Sequence, residues 1–218
     1  MSSPYTRIDI QSQKGLSKVE SKHLLIALAV LTLAFAISFT GGLTSIYNSS
    51  FPLFLLISFL SVGTAFIFHE LAHRKLARSY GCWAEFRMWR WGLMMALLFS
   101  FFGFVFAAPG AVMIRGNITR KQNGKISAAG PATNWVVGSL FLAASYVVGM
   151  SGMWLLHFIL AFVAYVNLFL GGFNLLPIGP LDGRKIFGWS VKNYILLAGL
   201  IAGTFAAGYY LGPFSMFF

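Results

Sequence analysis

Apolar positions fall in long unbroken blocks. Leu24 to Phe68 carries no charged side chain, Ile126 to Leu181 carries only His157, and Asn193 to Phe218 carries none. A bilayer-spanning helix needs about 20 apolar residues. The pattern therefore predicts spans at about 24–43, 51–78, 126–149, 153–176 and 191–217. The polar lead, residues 1–23, reads as a flexible cytoplasmic tail, followed by one polytopic membrane domain over 24–218. "GGLTSIYNSS", residues 41–50, is an uncharged outer turn. No internal repeat and no cleavable leader are expected.

Residues 91–114 break this regularity. They are uncharged and long enough to span, yet basic residues flank them on both sides: Arg87 and Arg90 before, Arg115, Arg120 and Lys121 after. One crossing would put a basic flank outside, against the positive-inside rule. "EFRMWRW" (85–91) alternates as a strand does, and Pro109-Gly110 interrupts a helix. A re-entrant, β-hairpin-like segment satisfies both flanks. The expected fold is an all-α multi-pass membrane protein with five crossings, or six if this segment spans.

Composition sharpens the picture. The chain is 58% hydrophobic and 10% charged, against about 25% charged in an ordinary soluble domain. Sixteen Lys and Arg oppose five Asp and Glu, a net charge of +11. In a soluble protein that would suggest nucleic acid. Here the bases lie between apolar blocks, as membrane topology requires, so nucleic acid is not an expected partner. Cys82 is the single cysteine, which excludes an internal disulfide and a thiolate metal cluster.

"AFIFHELAHRKLA", residues 65–77, sets three ionisable groups at the inner end of the second span. Such groups at membrane depth are costly and by default functional. His69 and His73 are four apart, about 400° round a helix, so both rings lie on one face and can share one ion. Glu70 sits roughly 100° from His69, placed to act as general base on zinc-bound water. Zinc needs a third protein ligand. Asp9, Glu20, His23 and Glu85 lie in polar segments, and His157 lies near the outer face. Asp182, in the broken stretch "NLLPIGPLDG" (174–183), is at matching depth if 91–114 is re-entrant. One aspartate and one glutamate beside Zn²⁺ would sum to neutral. Asn134 either donates to the oxyanion of the scissile bond or makes an interhelical hydrogen bond. Asn174 is expected to satisfy helix carbonyls freed by Pro177.

The helix-borne HELAH, the "AGPATN" of residues 129–134 and "NLLPIGPLDG", in this order, resemble the site-2 protease family of intramembrane zinc metalloproteases. The resemblance covers about residues 60–190, with a catalytic core over about 51–190. It implies hydrolysis of peptide bonds within the membrane, one zinc ion held by His69, His73 and Asp182, and Glu70 as catalytic base. It implies transmembrane protein or peptide substrates and a three-span core with a re-entrant hairpin after the HExxH helix. The expected location is the cell membrane, with the active site toward the cytoplasm. The PDZ or CBS domains of many members are not expected.

Three rivals compete. A membrane zinc or proton transporter would use the same His/Asp site, but it does not explain Glu70 between the histidines. Gly149-Met150-Ser151-Gly152 matches a rhomboid-like GxSG, but its only later histidine, His157, is six residues on and on the same helix, so the pair cannot face properly. Four histidines are too few for a membrane di-iron hydroxylase.

Overall fold

The computed structural model describes residues 15–106 and 108–215. Among these, five helices are long and apolar enough to cross a membrane: Lys18–Phe39, Phe51–Ser79, Arg120–Met150, Trp154–Asn174 and Val191–Tyr210. The protein is an all-α integral membrane protein with one small two-stranded sheet.

Helix α1 (Lys18–Phe39) starts six residues before the expected boundary. Ser17 caps it by accepting from the Glu20 N–H. Residues 18–23 thus belong to the helix, where Glu20 finds tertiary partners, Arg74 and the Phe86 N–H, that a hydropathy boundary cannot register; residues 1–14 of the expected tail, Asp9 included, lie outside the described residues. The second crossing is continuous from Phe51 to Ser79. It comprises α2 (Phe51–Val62), one π-helical turn (Gly63–Ile67) and α3 (Phe68–Ser79).

Next comes the re-entrant segment. Strand β1 (Trp83–Met88) pairs antiparallel with β2 (Gly110–Arg115), from Trp83 opposite Arg115 to Met88 opposite Gly110. Between them α4 (Arg90–Ser100) leads out, and residues 101–106 and 108–109 lead back without regular structure apart from a turn. The two ends of the segment are therefore adjacent, and the described residues hold five helices long and apolar enough to cross a membrane. The Trp89 N–H donates to the Pro109 carbonyl at 2.8 Å and extends the ladder. Gly110 has a φ of 149°, and a Cβ there would lie 2.2 Å from the Arg87 carbonyl oxygen, so only glycine fits this close crossing.

Helix α5 (Arg120–Met150) opens with a capping box of Thr119 and Gln122 and keeps Pro131 in its interior. A turn at Gly152 leads into α6 (Trp154–Asn174). The expected unwound stretch follows α6, and then a short helix appears that hydropathy did not predict: α7 (Asp182–Trp189), with Asp182 as its first residue. The last crossing, α8 (Val191–Tyr210), ends before the expected 217. Phe214 folds back against Gly208 and is fully buried beside Leu168.

The core is divided among these contacts. Leu31, Phe35, Phe66 and Phe86 join α1, the second crossing and β1. Ile57 and Phe162 join α2 to α6, while Leu175, Ile186 and Ile201 pack α7 and α8 against the end of α6. These clusters hold α3, α5 and α7 side by side at one end of the bundle.

Candidate metal centre

Two histidines of α3 and the first residue of α7 meet in that end. His69 Nε2 lies 3.2 Å and His73 Nε2 3.1 Å from the same Asp182 oxygen, Oδ2. All three residues are buried. Among the described residues they form the group of histidine, cysteine and acidic side chains able to hold a metal ion.

The back of each ring decides what the front offers. His73 Nδ1 is 2.7 Å from the Ile126 carbonyl oxygen, an acceptor, so Nδ1 carries the proton. His69 Nδ1 is 2.9 Å from Asn134 Oδ1. The Asn134 amide nitrogen donates to the Ala65 carbonyl at 3.0 Å and to the Asn167 carbonyl at 3.3 Å. Two carbonyls fix which way the amide points, and its oxygen then requires a proton on His69 Nδ1. With Nδ1 engaged in this way, Nε2 is the ring nitrogen that each histidine turns toward the carboxylate. Two ring nitrogens and a carboxylate oxygen converging in one buried place are a donor set that suits a divalent ion. A tetrahedral zinc with bonds of about 2.1 Å needs ligand atoms about 3.4 Å apart, close to the 3.1 and 3.2 Å observed.

Helix α5 leaves room for such an ion. A Cβ at Gly130 would lie 2.5 Å from His73 Nε2 and 2.6 Å from His69 Nε2, so the site requires glycine there. Gly183 serves the third ligand: a Cβ there would meet the Leu175 carbonyl oxygen at 2.0 Å. The close approach lets α7 begin directly under the end of α6 and presents Asp182 to the histidines.

Glu70 is half-buried and lines a cavity of about 470 Å³ together with His69, His73 and Asp182. Lys185, one turn after Asp182, also lines it, and its Nζ is 3.9 Å from Asp182 Oδ1. Strand β2 forms another wall through Gly110, Val112 and Ile114. The Phe86 N–H leaves β1 on the side away from β2, toward Glu20. Phe86 and Val112 are thus a non-hydrogen-bonded pair, so the Val112 backbone polar groups point out of the sheet. The Val112 N–H faces the Glu70 carboxyl.

The other candidates sit elsewhere. Glu20 pairs with Arg74, and Glu85 with Arg87. His23 is on α1. His157 Nδ1 is 2.7 Å from the Ser145 carbonyl, at the opposite end of α5 and α6. Asn174 donates to the Leu170 carbonyl at 2.9 Å, so it satisfies a helix carbonyl, that of its own last turn. Asn134, weighed as an oxyanion donor, stands behind His69 with its amide fully engaged. Sequence reasoning missed Asn167, which is fully buried and donates to Thr64 Oγ1 and the Val163 carbonyl. It also missed the π-helical turn that presents the Ala65 carbonyl to Asn134. Such turns recur at functional sites but have no signature in hydropathy. Gly130 lay within the quoted "AGPATN" without a role.

Comparison with known proteins finds relatives named as zinc metalloproteases. "Putative zinc metalloprotease MJ0611" of Methanocaldococcus jannaschii is 41% identical over 172 residues, which are 78% of this chain and 86% of that protein. "Zinc metalloprotease MJ0392" of the same organism is 29% identical over 144 residues, 65% of this chain and 36% of that protein. "Putative zinc metalloprotease Rip3" of Mycobacterium tuberculosis is 34% identical over 119 residues, 54% of this chain and 26% of that protein. No family model and no solved structure matches. The chain belongs to the site-2 protease family of zinc metalloproteases, and is a zinc-dependent metalloprotease of the membrane.

Proposed function

We propose that this protease cuts peptide bonds within or near transmembrane segments of other membrane proteins. The observation that carries the reading is one cavity that holds His69, His73, Asp182, Glu70 and the open edge of β2, in a chain of five apolar helices. His69, His73 and Asp182 bind one zinc ion. When bound, it supplies Lewis acidity at the scissile carbonyl and eases removal of a proton from water. Glu70 takes that proton as the oxygen–carbon bond forms, and delivers it to the leaving nitrogen as the carbon–nitrogen bond breaks. Asn134 is a positioning residue that holds the His69 ring in its ligating tautomer.

The substrate must be extended to react. An unwound segment pairs with the outward Val112 carbonyl and with the outward groups of its even-numbered neighbours, as peptides add to sheet edges elsewhere. Substrate segments with helix-breaking residues unwind most readily. The ends carrying Arg74, Lys75, Arg78, Arg115 and Lys185 face the cytoplasm of the cell membrane, by the positive-inside rule.

Purified protein should contain zinc and cleave a model transmembrane substrate, with activity lost on chelation. Glu70→Gln should lower the cleavage rate at least about 100-fold while zinc stays bound. Full activity in that variant would sink the mechanism, and loss of zinc would make Glu70 a ligand. A single cysteine at Asn117, in a Cys82→Ala background, should resist an impermeant maleimide until cells are opened. Labelling in intact cells would reverse the orientation.

A further inference from the structure

Glu20 is fully buried in the first turn of α1, far along the chain from the metal ligands. Its Oε1 accepts from the Phe86 N–H at 3.1 Å and lies 2.8 Å from Arg74 Nε. Oε2 has no hydrogen-bond partner. A buried carboxylate with one oxygen unmet is expensive, and its two contacts are specific. Arg74 is the residue after His73 on α3, and Phe86 is in the middle of β1.

A two-stranded sheet has two outward edges, each a row of unpaired N–H and C=O groups ready for another strand. On β1 that edge is closed by side chains. Glu20 takes the Phe86 N–H, and Arg78 Nε donates to the Ala84 carbonyl at 3.0 Å. Ser17, the cap of α1, donates to Glu85 at 3.1 Å beside them. On β2, Val112 sits directly opposite Phe86, and its outward groups face Glu70 and the cavity. The carboxylate that closes one edge is thus joined, through Arg74, to the helix that carries the metal ligands.

We propose that Glu20 is a positioning residue for substrate. It closes the β1 edge and locks the hairpin in register with His73, so that an extended substrate pairs on β2 at one fixed distance from the metal. This rests on the reading of β2 as the substrate-pairing strand. Slippage of the hairpin along α3 would move the scissile bond relative to the zinc.

The test uses the full chain in lipid, a model transmembrane substrate, zinc analysis and mass spectrometry of the cleavage products. Glu20→Ala should keep wild-type zinc, lose on the order of 100-fold in kcat/KM, mostly through KM, and spread cleavage over neighbouring bonds. Glu20→Gln keeps an acceptor for the Phe86 N–H and should keep the single cleavage position. Glu20→Ala leaves Arg74 without its carboxylate, so Glu20→Met combined with Arg74→Met supplies a variant in which the whole pair is replaced by apolar groups; it too should scatter the products. A single unchanged cleavage position in both the alanine and the double variant would overturn the proposal and leave Glu20 a purely structural residue. Wild-type protein without zinc or without cleavage would instead overturn the reading on which it rests.

Discussion

Gly149 and Gly130 lie on the same helix, and each faces a histidine ring where a side chain would otherwise be. At Gly149 a Cβ would come within 2.9 Å of His157 Nδ1; at Gly130, within 2.5 Å of His73 Nε2. Both histidines are buried, and each directs Nδ1 at a backbone carbonyl, Ser145 for one and Ile126 for the other. The difference lies on the far side of the ring. His157 has the edge of Trp154 beside it, and no carboxylate pairs with it among the described residues. His73 turns Nε2 to a carboxylate oxygen that His69 also faces. A glycine and a carbonyl suffice to bury and orient a histidine; a metal centre arises where a third element brings further lone pairs to the same point.

The two ends can be separated by substitution. The largest effect is expected at Gly130→Ala, whose methyl group would occupy the space between the two Nε2 atoms. Zinc should be absent from that protein and cleavage undetectable, and Asp182→Ala should lower both in the same way. Normal metal content in either variant, measured by elemental analysis, would mean that another set of groups forms the site. Asn134→Ala removes the partner that fixes the His69 ring and should weaken zinc binding about 10- to 100-fold in chelator competition. A loss of activity at unchanged zinc affinity would return Asn134 to the reacting atoms. The smallest functional effect belongs to His157→Ala, which removes the side-chain donor to the Ser145 carbonyl. It should cost about 1–3 kcal/mol of stability in thermal unfolding, with zinc content and activity near wild type. Loss of zinc there would dissolve the contrast between the two ends.

Much of the site was legible because it is local. The spacing of His69, Glu70 and His73 follows from the pitch of one helix, and the placement of basic residues around 91–114 reveals a segment that returns to its own side. Asp182 was legible by depth, as the acidic residue of the chain's second half. The start of α1 was not, because Glu20 is tolerated in a buried helix only through Arg74 and the Phe86 N–H. Nor was α7, since two prolines and a glycine dominate the stretch before it.

Asn134 marks the boundary between the two kinds of information. Its place in an apolar helix is visible in the sequence, and so is its need for polar partners. Whether its amide meets a substrate or a histidine depends on the rotation of α5 about its own axis, which Gly130, Gly138 and Gly171 set by letting α3 and α6 approach closely. The sequence alone determined the membrane environment and the kind of metal chemistry, and narrowed the crossings to five or six, because these depend on residue type and on repeats within one helix. Only the tertiary structure decided which lone pairs meet, which strand edge stays open and which acid closes the other, because those depend on contacts between segments far apart in the chain.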